Sequence, residues 1–295
     1  MLTELLQVSE IQDDSYIFTI FDRSFSLFYK PKFLYSPIIS SYFMKIYKYL
    51  QNTIQEKGAV YLILLDPDKL PEEKLIPFVK HCEKSGVDGF LIGGSLMVNN
   101  NMDWFIEQVK NSTSLPAIIF PGSVNQVSSA ADAILFLSVV SGRNAEHLIG
   151  KHVLAAPLIK KSGIEPISTG YILVESGSTT TAVYMSGSLP VPRNKPEIAA
   201  STALAAEYLG MKLIYLEAGS GADQPVPSEM VKAVSSQVSV PVIVGGGIRN
   251  PNTAREKVEN GASIIVTGNF FENENNWDMI KEFASSIHIK QGLLV

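Results

Sequence analysis

Tyr215-Leu216-Glu217-Ala218-Gly219-Ser220-Gly221, Val244-Gly245-Gly246-Gly247-Ile248 and Val266-Thr267-Gly268-Asn269 follow one another near the end of this 295-residue chain. Each block ends a short apolar run and precedes a stretch with helical periodicity. Unbroken, β-branched runs are typical of parallel strands buried on both faces, and glycines after them leave backbone N–H groups accessible to a ligand. Because the loops after strands 7 and 8 of a (β/α)8 barrel usually bind phosphate, these blocks predict a phosphate site.

The rest of the chain repeats the same alternation of strand and helix, which indicates βαβ units and a parallel sheet. An open doubly wound sheet is the competing fold, and it needs a glycine-rich fingerprint after its first strand. The first strand here ends in Asp66-Pro67-Asp68-Lys69 instead. We therefore predict an α/β fold, a single (β/α)8 TIM barrel. The predicted strands are Val60–Leu65, Gly89–Ile92, Ala117–Phe120, Ala133–Leu137, Gly170–Val174, Lys212–Leu216, Val240–Val244 and Ser263–Val266.

Three connections in this predicted barrel have unusual lengths. Pro121–Asp132, between strands 3 and 4, is short for two loops and a helix, so we expect helix 3 to be missing or vestigial. Val139–Leu154 and Ser176–Pro196 are predicted as long loops, and loops of that length in a compact domain are usually functional.

Composition narrows the class of protein. With 46% hydrophobic residues the chain can bury one large core. A net charge of −5 without clustered basic residues argues against nucleic-acid binding. The lone cysteine, Cys82, excludes an internal disulfide framework and suits a reducing compartment. Without a long apolar run or a basic, apolar N-terminus, we predict no transmembrane segment, no secretory signal and a cytoplasmic location.

The first 43 residues differ from the rest. Ten aromatic residues lie between Tyr16 and Phe43, without a helical or strand period. We predict residues 1–43 to be an extension that is poorly ordered or not native, and residues 44–295 to be the barrel, with Met44 as a candidate start. The segment Lys45–Glu56 would then cover the bottom of the barrel. The alternative is an aromatic arm that touches a membrane or covers that bottom.

Two neighbouring strands end in oxygen-bearing side chains. Asp66 and Asp68 follow strand 1, and Ser95 follows strand 2. Carboxylate and hydroxyl oxygens suit Mg²⁺, which keeps several of its waters in proteins. The alternative is that Asp66 caps a helix or stabilises a turn and that Ser95 belongs to an ordinary strand-to-helix turn.

Glu217 follows strand 6 and is a candidate general base, or a counter-charge for a developing cation; the alternative is a salt bridge to a neighbouring loop. Residues 219–221 would form an anion-binding loop beside it. We expect a side chain at Gly247 to block the approach of a ligand to the backbone. The directions of Tyr171 and Tyr215 stay open.

Other polar residues carry weaker signals. Arg249, just after the loop Gly245–Gly247, either reaches a phosphate or is solvated. The four histidines show no metal-binding spacing, which argues against zinc.

Five blocks, in the same order and spacing, resemble geranylgeranylglyceryl phosphate synthases of the longer, second group, from about Lys45 to His288. The resemblance implies a barrel without helix 3, and a prenyltransferase of lipid biosynthesis that joins sn-glycerol 1-phosphate to geranylgeranyl diphosphate through an ether bond. It also implies a homo-oligomer and leaves open a transient contact with a membrane surface. The blocks are Leu65–Lys69, Ile92–Ser95, Tyr215–Gly221, Val244–Ile248 and Gly268–Asn269.

The resemblance also implies roles for individual residues. Asp66 and Ser95 would bind Mg²⁺, and Glu217 would act as base or cation stabiliser. Shorter relatives have a Lys at the position of Leu64, so another residue must replace it here. The glycerol phosphate would be bound by Tyr215, Leu216, Glu217, Ala218, Gly219, Ser220, Gly221, Gly246, Gly247, Gly268 and Asn269.

Two other functions remain compatible with the pattern. The first is another phosphate-binding barrel enzyme, an isomerase or cyclase, and the second is a non-catalytic binder of a phosphate ligand. Metal-dependent release of diphosphate from a prenyl donor would separate the synthase from both.

Overall fold

The structure is a computed structural model that describes residues 7–11, 15–19, 45–98 and 101–289. The chain divides into two compact units, Met1–Tyr42 and Phe43–Val295. In the first, Gln7–Ile11 pairs antiparallel with Ser15–Thr19, with Gln7 opposite Thr19. The prediction that residues 1–43 are poorly ordered or not native otherwise lies outside the described residues.

The second unit is a closed barrel of eight parallel strands, which confirms the predicted fold. Each strand pairs with the next along the chain, and the last pairs with the first. The strands are β1 (Val60–Leu65), β2 (Gly89–Ile92), β3 (Ala117–Ile119), β4 (Ala133–Val139), β5 (Glu165–Leu173), β6 (Leu213–Glu217), β7 (Val242–Gly245) and β8 (Ile264–Thr267).

The predicted start of the fifth strand was wrong. The prediction began at Gly170, whereas β5 begins at Glu165. Polar residues such as Ser168 and Thr169 break the apolar run, although both pair with β4 in the sheet. A search for apolar runs therefore finds only the second half of this strand.

Helices surround the barrel and alternate with its strands. A π-helical turn, Glu146–Gly150, precedes α4, and two 3₁₀ turns, Asn269–Glu272 and Glu274–Met279, follow β8. Within the described residues, no helix is long and apolar enough to cross a membrane. The α-helices are α1 (Lys45–Lys57), α2 (Glu72–Lys84), α3 (Met102–Ser112), α4 (Lys151–Ser162), α5 (Thr181–Ser186), α6 (Pro196–Tyr208), α7 (Ser228–Ser235), α8 (Pro251–Glu259) and α9 (Ile280–Ile287).

The connection between β3 and β4 contains turns and bends but no helix, which confirms that helix 3 is missing. The two predicted long loops are partly wrong. The segment 139–154 contains the π-helical turn and the start of α4, and the segment 176–196 contains α5. Helix α4 escapes a search for periodicity because apolar side chains lie on both of its sides.

The bottom of the barrel is closed by α1. Glu165, at the start of β5, accepts hydrogen bonds from the backbone N–H groups of Ile46 (2.6 Å) and Tyr47 (3.0 Å). A buried carboxylate thus caps the first turn of α1. Leu50 from the same helix is buried against the barrel interior. The segment predicted to cover the bottom therefore does so.

Candidate active site

A cavity of about 520 Å³ opens at the carboxyl ends of the strands. This is the end of a TIM barrel where active sites lie. It brings together residues predicted for the metal site and for the phosphate site. Those that line it are Asp66, Ser95, Tyr215, Glu217, Gly219, Ser220, Gly221, Gly246, Gly247, Gly268 and Asn269.

Of the residues predicted to bind glycerol phosphate, Leu216 and Ala218 are the two that do not line the cavity. Both are buried in the apolar layer between the strands and the outer helices. Side chains alternate between the two faces of a strand, so the neighbours of Glu217 point outward when Glu217 points inward. Their side chains are therefore turned away from a ligand in the cavity.

Glu217 is the buried acid of this site. The last residue of β6, it is 6% exposed, and its Oε1 accepts a hydrogen bond from the backbone N–H of Gly219 at 2.6 Å. Burial raises the pKa of Glu217 to about 6, while hydrogen bonds from Gly219, Tyr215 and Tyr171 oppose the rise. A carboxylate with this pKa is poised for proton transfer near neutral pH.

Tyr171 and Tyr215 both point into the barrel. They lie opposite each other in the register of β5 and β6, with ring centroids 5.3 Å apart. Burial, followed by the charge of Glu217, raises the pKa of each phenol well above its ordinary value. Both hydroxyls therefore stay protonated and donate to Glu217. Phe120 completes the aromatic cluster, with its centroid 5.3 Å from that of Tyr215.

Tyr171 was not among the predicted site residues. The signal for it lay in the strand register, since a residue that pairs with Tyr215 on the neighbouring strand faces the same side of the sheet. The predicted start of β5, five residues late, gave no reliable register for that inference.

Two consecutive glycines after β7 adopt left-handed conformations, with φ of +83° at Gly246 and +69° at Gly247. A Cβ at Gly246 would lie 2.6 Å from Oε1 of Glu217, so the loop passes directly over the buried acid. A Cβ at Gly247 would instead lie 2.8 Å from the backbone N of Pro225. A side chain at Gly247 would therefore first clash with the β6–α7 loop, and the expectation that it would block a ligand's approach to the backbone stays a prediction.

Arg249 also lines the cavity beside the phosphate loops. Its Nη2 donates to the carbonyl of Ala222 at 2.7 Å, and its Nη1 donates to that of Asp223 at 3.3 Å. Leu64 lines the same cavity, where a Cβ at Gly268 would lie 3.0 Å from the Leu64 Cβ. Arg249 is thus a cation at this end of the cavity, whereas the side chain of Leu64 is apolar.

Asp66 lines the same cavity, at the end of β1. Its Oδ1 accepts from the backbone N–H of Asp68 at 3.1 Å, and its Oδ2 lies 3.5 Å from Nζ of Lys69. Lys69 also lies 3.4 Å from Oε1 of Glu272. The second predicted carboxylate, Asp68, accepts from the backbone N–H of Val98 at 2.6 Å and does not line the cavity. The two aspartates therefore have different roles.

The surroundings of Asp66 fit a hard cation. A Cβ at Gly94 would lie 3.1 Å from both carboxylate oxygens, so a side chain there would crowd Asp66 where it faces the cavity beside Ser95. In the described part of the chain, no three His, Cys, Asp or Glu side chains form a metal-binding cluster. The donor set is then one carboxylate and one hydroxyl, which matches Mg²⁺ bound through few protein ligands together with water and substrate phosphate.

The cavity extends from this polar mouth into an apolar branch beside β4. Ile134 and Phe136 of β4 line it, with Val127 from the connection that lacks a helix and Ala155 and Ile159 from α4. The missing helix leaves the outer side of β3 and β4 open to this branch.

Comparison with known proteins places this geometry in a family. The PcrB family model matches residues 51–287. Geranylgeranylglyceryl phosphate synthase of Chitinophaga pinensis is 47% identical over 228 residues, which are 77% of this chain and 90% of the relative. The Pyrococcus horikoshii enzyme of that name is 42% identical over 244 residues, 82% of this chain and 95% of the relative.

A solved structure agrees. (S)-3-O-geranylgeranylglyceryl phosphate synthase from Thermoplasma acidophilum, in complex with its substrate sn-glycerol-1-phosphate, is 34% identical, with a TM-score of 0.76. The match covers 81% of this chain and 98% of that chain. The resemblance predicted from the five sequence blocks is thereby confirmed, and the chain belongs to the PcrB family.

Proposed function

We propose that this protein is an Mg²⁺-dependent prenyltransferase that joins sn-glycerol 1-phosphate to geranylgeranyl diphosphate through an ether bond and releases diphosphate. The observation that carries the proposal is the position of Glu217. A buried carboxylate with a pKa of about 6 lies between a glycine-rich phosphate loop and an apolar branch of one cavity. The relatives named as synthases support the same activity.

The polar end of the cavity suits the phosphate of glycerol phosphate. Backbone groups of the loops after β7 and β8 converge there, as in other TIM-barrel phosphate sites. Ser220 and Asn269 add polar side chains, and Arg249 adds a positive charge. We assign to Arg249 the positive charge that a Lys supplies in shorter relatives at the position of Leu64. A guanidinium that already binds Ala222 and Asp223 is held in place before the ligand arrives.

The apolar branch suits the prenyl chain. Ile134, Phe136 and Ile159 give it apolar walls, and these lie where the third helix of the barrel is missing. Burying such a chain removes apolar surface from water, which favours binding in proportion to the buried area. The diphosphate would then lie at the mouth, near Asp66, Ser95 and Lys69. Mg²⁺ bound to Asp66 and Ser95 would neutralise the leaving diphosphate.

Glu217 and the aromatic cluster would act on the reacting atoms. As the allylic C–O bond breaks and diphosphate leaves, positive charge develops on the prenyl carbon, and the aromatic rings of Phe120, Tyr171 and Tyr215, which line the cavity, would stabilise it. The 3-hydroxyl of glycerol phosphate attacks that carbon and transfers its proton to Glu217. Hydrogen bonds from the tyrosines and Gly219 keep Glu217 ionised until then.

The test is an assay of the full chain with labelled sn-glycerol 1-phosphate and prenyl diphosphates of graded length. We expect an ether product and diphosphate, with a preference for the 20-carbon donor, and loss of turnover after chelation that added Mg²⁺ restores. Asp66→Asn should weaken Mg²⁺ binding measured by calorimetry as well as turnover, whereas Asp68→Asn should retain Mg²⁺ binding. Glycerol phosphate binding without any ether product would overturn the function, and full activity after chelation would overturn the metal.

A further inference from the structure

Helix α4 and the turn before it are apolar on two sides. The inner side, with Ala155 and Ile159, lines the cavity. The outer side is exposed, and a helix that is apolar all round normally has a second partner. Within the described residues, no element covers these outer side chains. They are Ile149 (61% exposed), Val153 (64%), Leu154 (62%) and Leu158 (49%).

The charge on this outer side is positive. Lys160 and Lys161 are exposed at the carboxyl end of α4, and in the part of the chain that the structure describes neither forms an ion pair. Glu146 is the one acidic residue in the segment 146–162, and the third lysine of the helix, Lys151, lines the cavity instead. The whole chain has a net charge of −5, so the charge of this surface is opposite in sign to that of the chain.

A second exposed apolar surface on the barrel lacks this charge. Ile198, Tyr208 and Leu209, in α6 and just after it, are 45%, 80% and 77% exposed. The acidic residues of that helix are Glu197 and Glu207. The two surfaces therefore match in exposed apolar side chains and differ in the sign of their charge.

We infer that the outer side of α4 docks on an anionic lipid surface. Its aliphatic side chains would enter the boundary between head groups and acyl chains, as in amphipathic helices that lie in the plane of a membrane. The lysines would extend to lipid phosphates while their stems stay among the apolar side chains.

The inference rests on the proposed function in one respect. The inner side of the same helix lines the branch assigned to the prenyl chain. Docking through the outer side would hold that branch beside the lipid phase, which the apolar product enters. A second copy paired through this surface would bring Lys160 and Lys161 of both chains together with one acidic residue, Glu146, from each helix, so the charge balance favours anionic lipid.

The experiment measures co-sedimentation of the full chain with vesicles, without substrates. We expect strong binding to phosphatidylcholine vesicles that contain phosphatidylglycerol and weak binding to pure phosphatidylcholine. The double variant K160Q/K161Q should bind the anionic vesicles about 25-fold more weakly, at about fivefold per lysine. The triple variant V153S/L154S/L158S should lose binding. The matched control on α6, I198S/Y208S/L209S, should bind like the parent.

Turnover with a short, water-soluble prenyl diphosphate should be unchanged in all three variants, because none of the substituted residues lines the cavity. Equal vesicle binding by the α4 triple variant and the parent would overturn the inference. The inference would also be overturned if the α4 triple variant kept its vesicle binding but changed its mass in sedimentation velocity, since a second copy of the chain would then cover this side. The parent chain could also lack turnover while only the α4 variants lose vesicle binding. That result would support docking on lipid and would overturn the proposed function instead.

Discussion

The two ends of the barrel each bury a carboxylate, and they shift its pKa in opposite directions. At the carboxyl ends of the strands, burial raises the pKa of Glu217 to about 6. At the amino ends, burial would also raise the pKa of Asp88, but hydrogen bonds from His288, Lys57 and the backbone N–H of Tyr61 hold it below the ordinary value. Asp88 is 1% exposed, and Glu217 is 6% exposed.

The difference lies in the partners. Asp88 lies 2.5 Å from Nζ of Lys57 and 2.7 Å from Nε2 of His288, and it accepts from the Tyr61 N–H at 2.8 Å. The partners of Glu217 are the neutral donors Tyr171, Tyr215 and Gly219.

Each direction has its own consequence for stability. The lowered pKa of Asp88 stabilises the fold above its unfolded pKa, and this contribution is lost as the pH falls through the folded pKa. The raised pKa of Glu217 has the opposite sign. Its contribution is present below the unfolded value near 4.5 and is lost as the pH rises through about 6. At neutral pH the bottom carboxylate therefore stabilises the barrel, whereas the top one costs about 2 kcal/mol.

Glu217→Gln should lower kcat by about 10² to 10⁴-fold, the usual contribution of a general base, with little change in KM. Because the ionised carboxylate costs stability at pH 7, the variant should unfold at the same urea concentration as the parent or a higher one. Steady-state kinetics and urea titration followed by circular dichroism measure the two effects. An unchanged kcat would remove Glu217 from the mechanism.

Asp88→Asn should have the reverse profile. An amide in place of the carboxylate leaves Lys57 without its counter-charge and weakens the hydrogen bonds from His288 and the Tyr61 N–H, and hydrogen bonds to a buried charged group contribute about 1.5–3 kcal/mol. The free energy of unfolding from urea titration should fall by that amount at pH 7. The value of kcat, measured where both proteins are folded, should stay the same because Asp88 lies at the opposite end from the cavity.

The control for this variant is Asp132→Asn. Asp132 lies directly before β4, much as Asp88 lies before β2, and its Oδ1 lies 2.6 Å from Nζ of Lys110. Its side chain is 26% exposed, so solvent can replace the lost contact. We expect a loss of about 1 kcal/mol or less. Equal losses at Asp88 and Asp132 would mean that burial does not distinguish the two ion pairs.

Prediction from sequence was most accurate where one physical signal acts alone. The bounds of β1 and β2 agree with their apolar runs, Val60–Leu65 and Gly89–Ile92, because both strands are buried throughout. The absent third helix followed from chain length alone. In β5 and α4 the same residues serve the barrel and also a second contact, which obscures the sequence pattern. Glu165 is a strand residue that also caps α1, and α4 is apolar on both the cavity side and the outer side, so neither segment has the pattern of its secondary structure.

The candidate site followed the same rule. Asp66 and the glycines after β7 and β8 carry local signals that survive without a structure. The roles of Tyr171 and Arg249 depend on register and on loop contacts between distant segments, which no local pattern records. For Gly247 the local pattern predicts a place in the phosphate site but does not reveal the close contact with the loop at Pro225, which belongs to a distant segment.

Tyr171→Phe should produce the smallest effect, a shift of the pH profile. A hydrogen bond from the Tyr171 hydroxyl stabilises the charged form of Glu217, so its removal raises the pKa of Glu217 above about 6. Catalysis needs the ionised carboxylate, and the acid limb of kcat/KM should therefore move to higher pH, by about one unit. The control Tyr61→Phe removes a buried hydroxyl that pairs with Thr267 at 2.9 Å. Because Tyr61 is not among the groups that shift the pKa of Glu217, the control should leave the acid limb in place. An acid limb that moves to lower pH in Tyr171→Phe, or equally in both variants, would show that Tyr171 does not hold Glu217 in its ionised form.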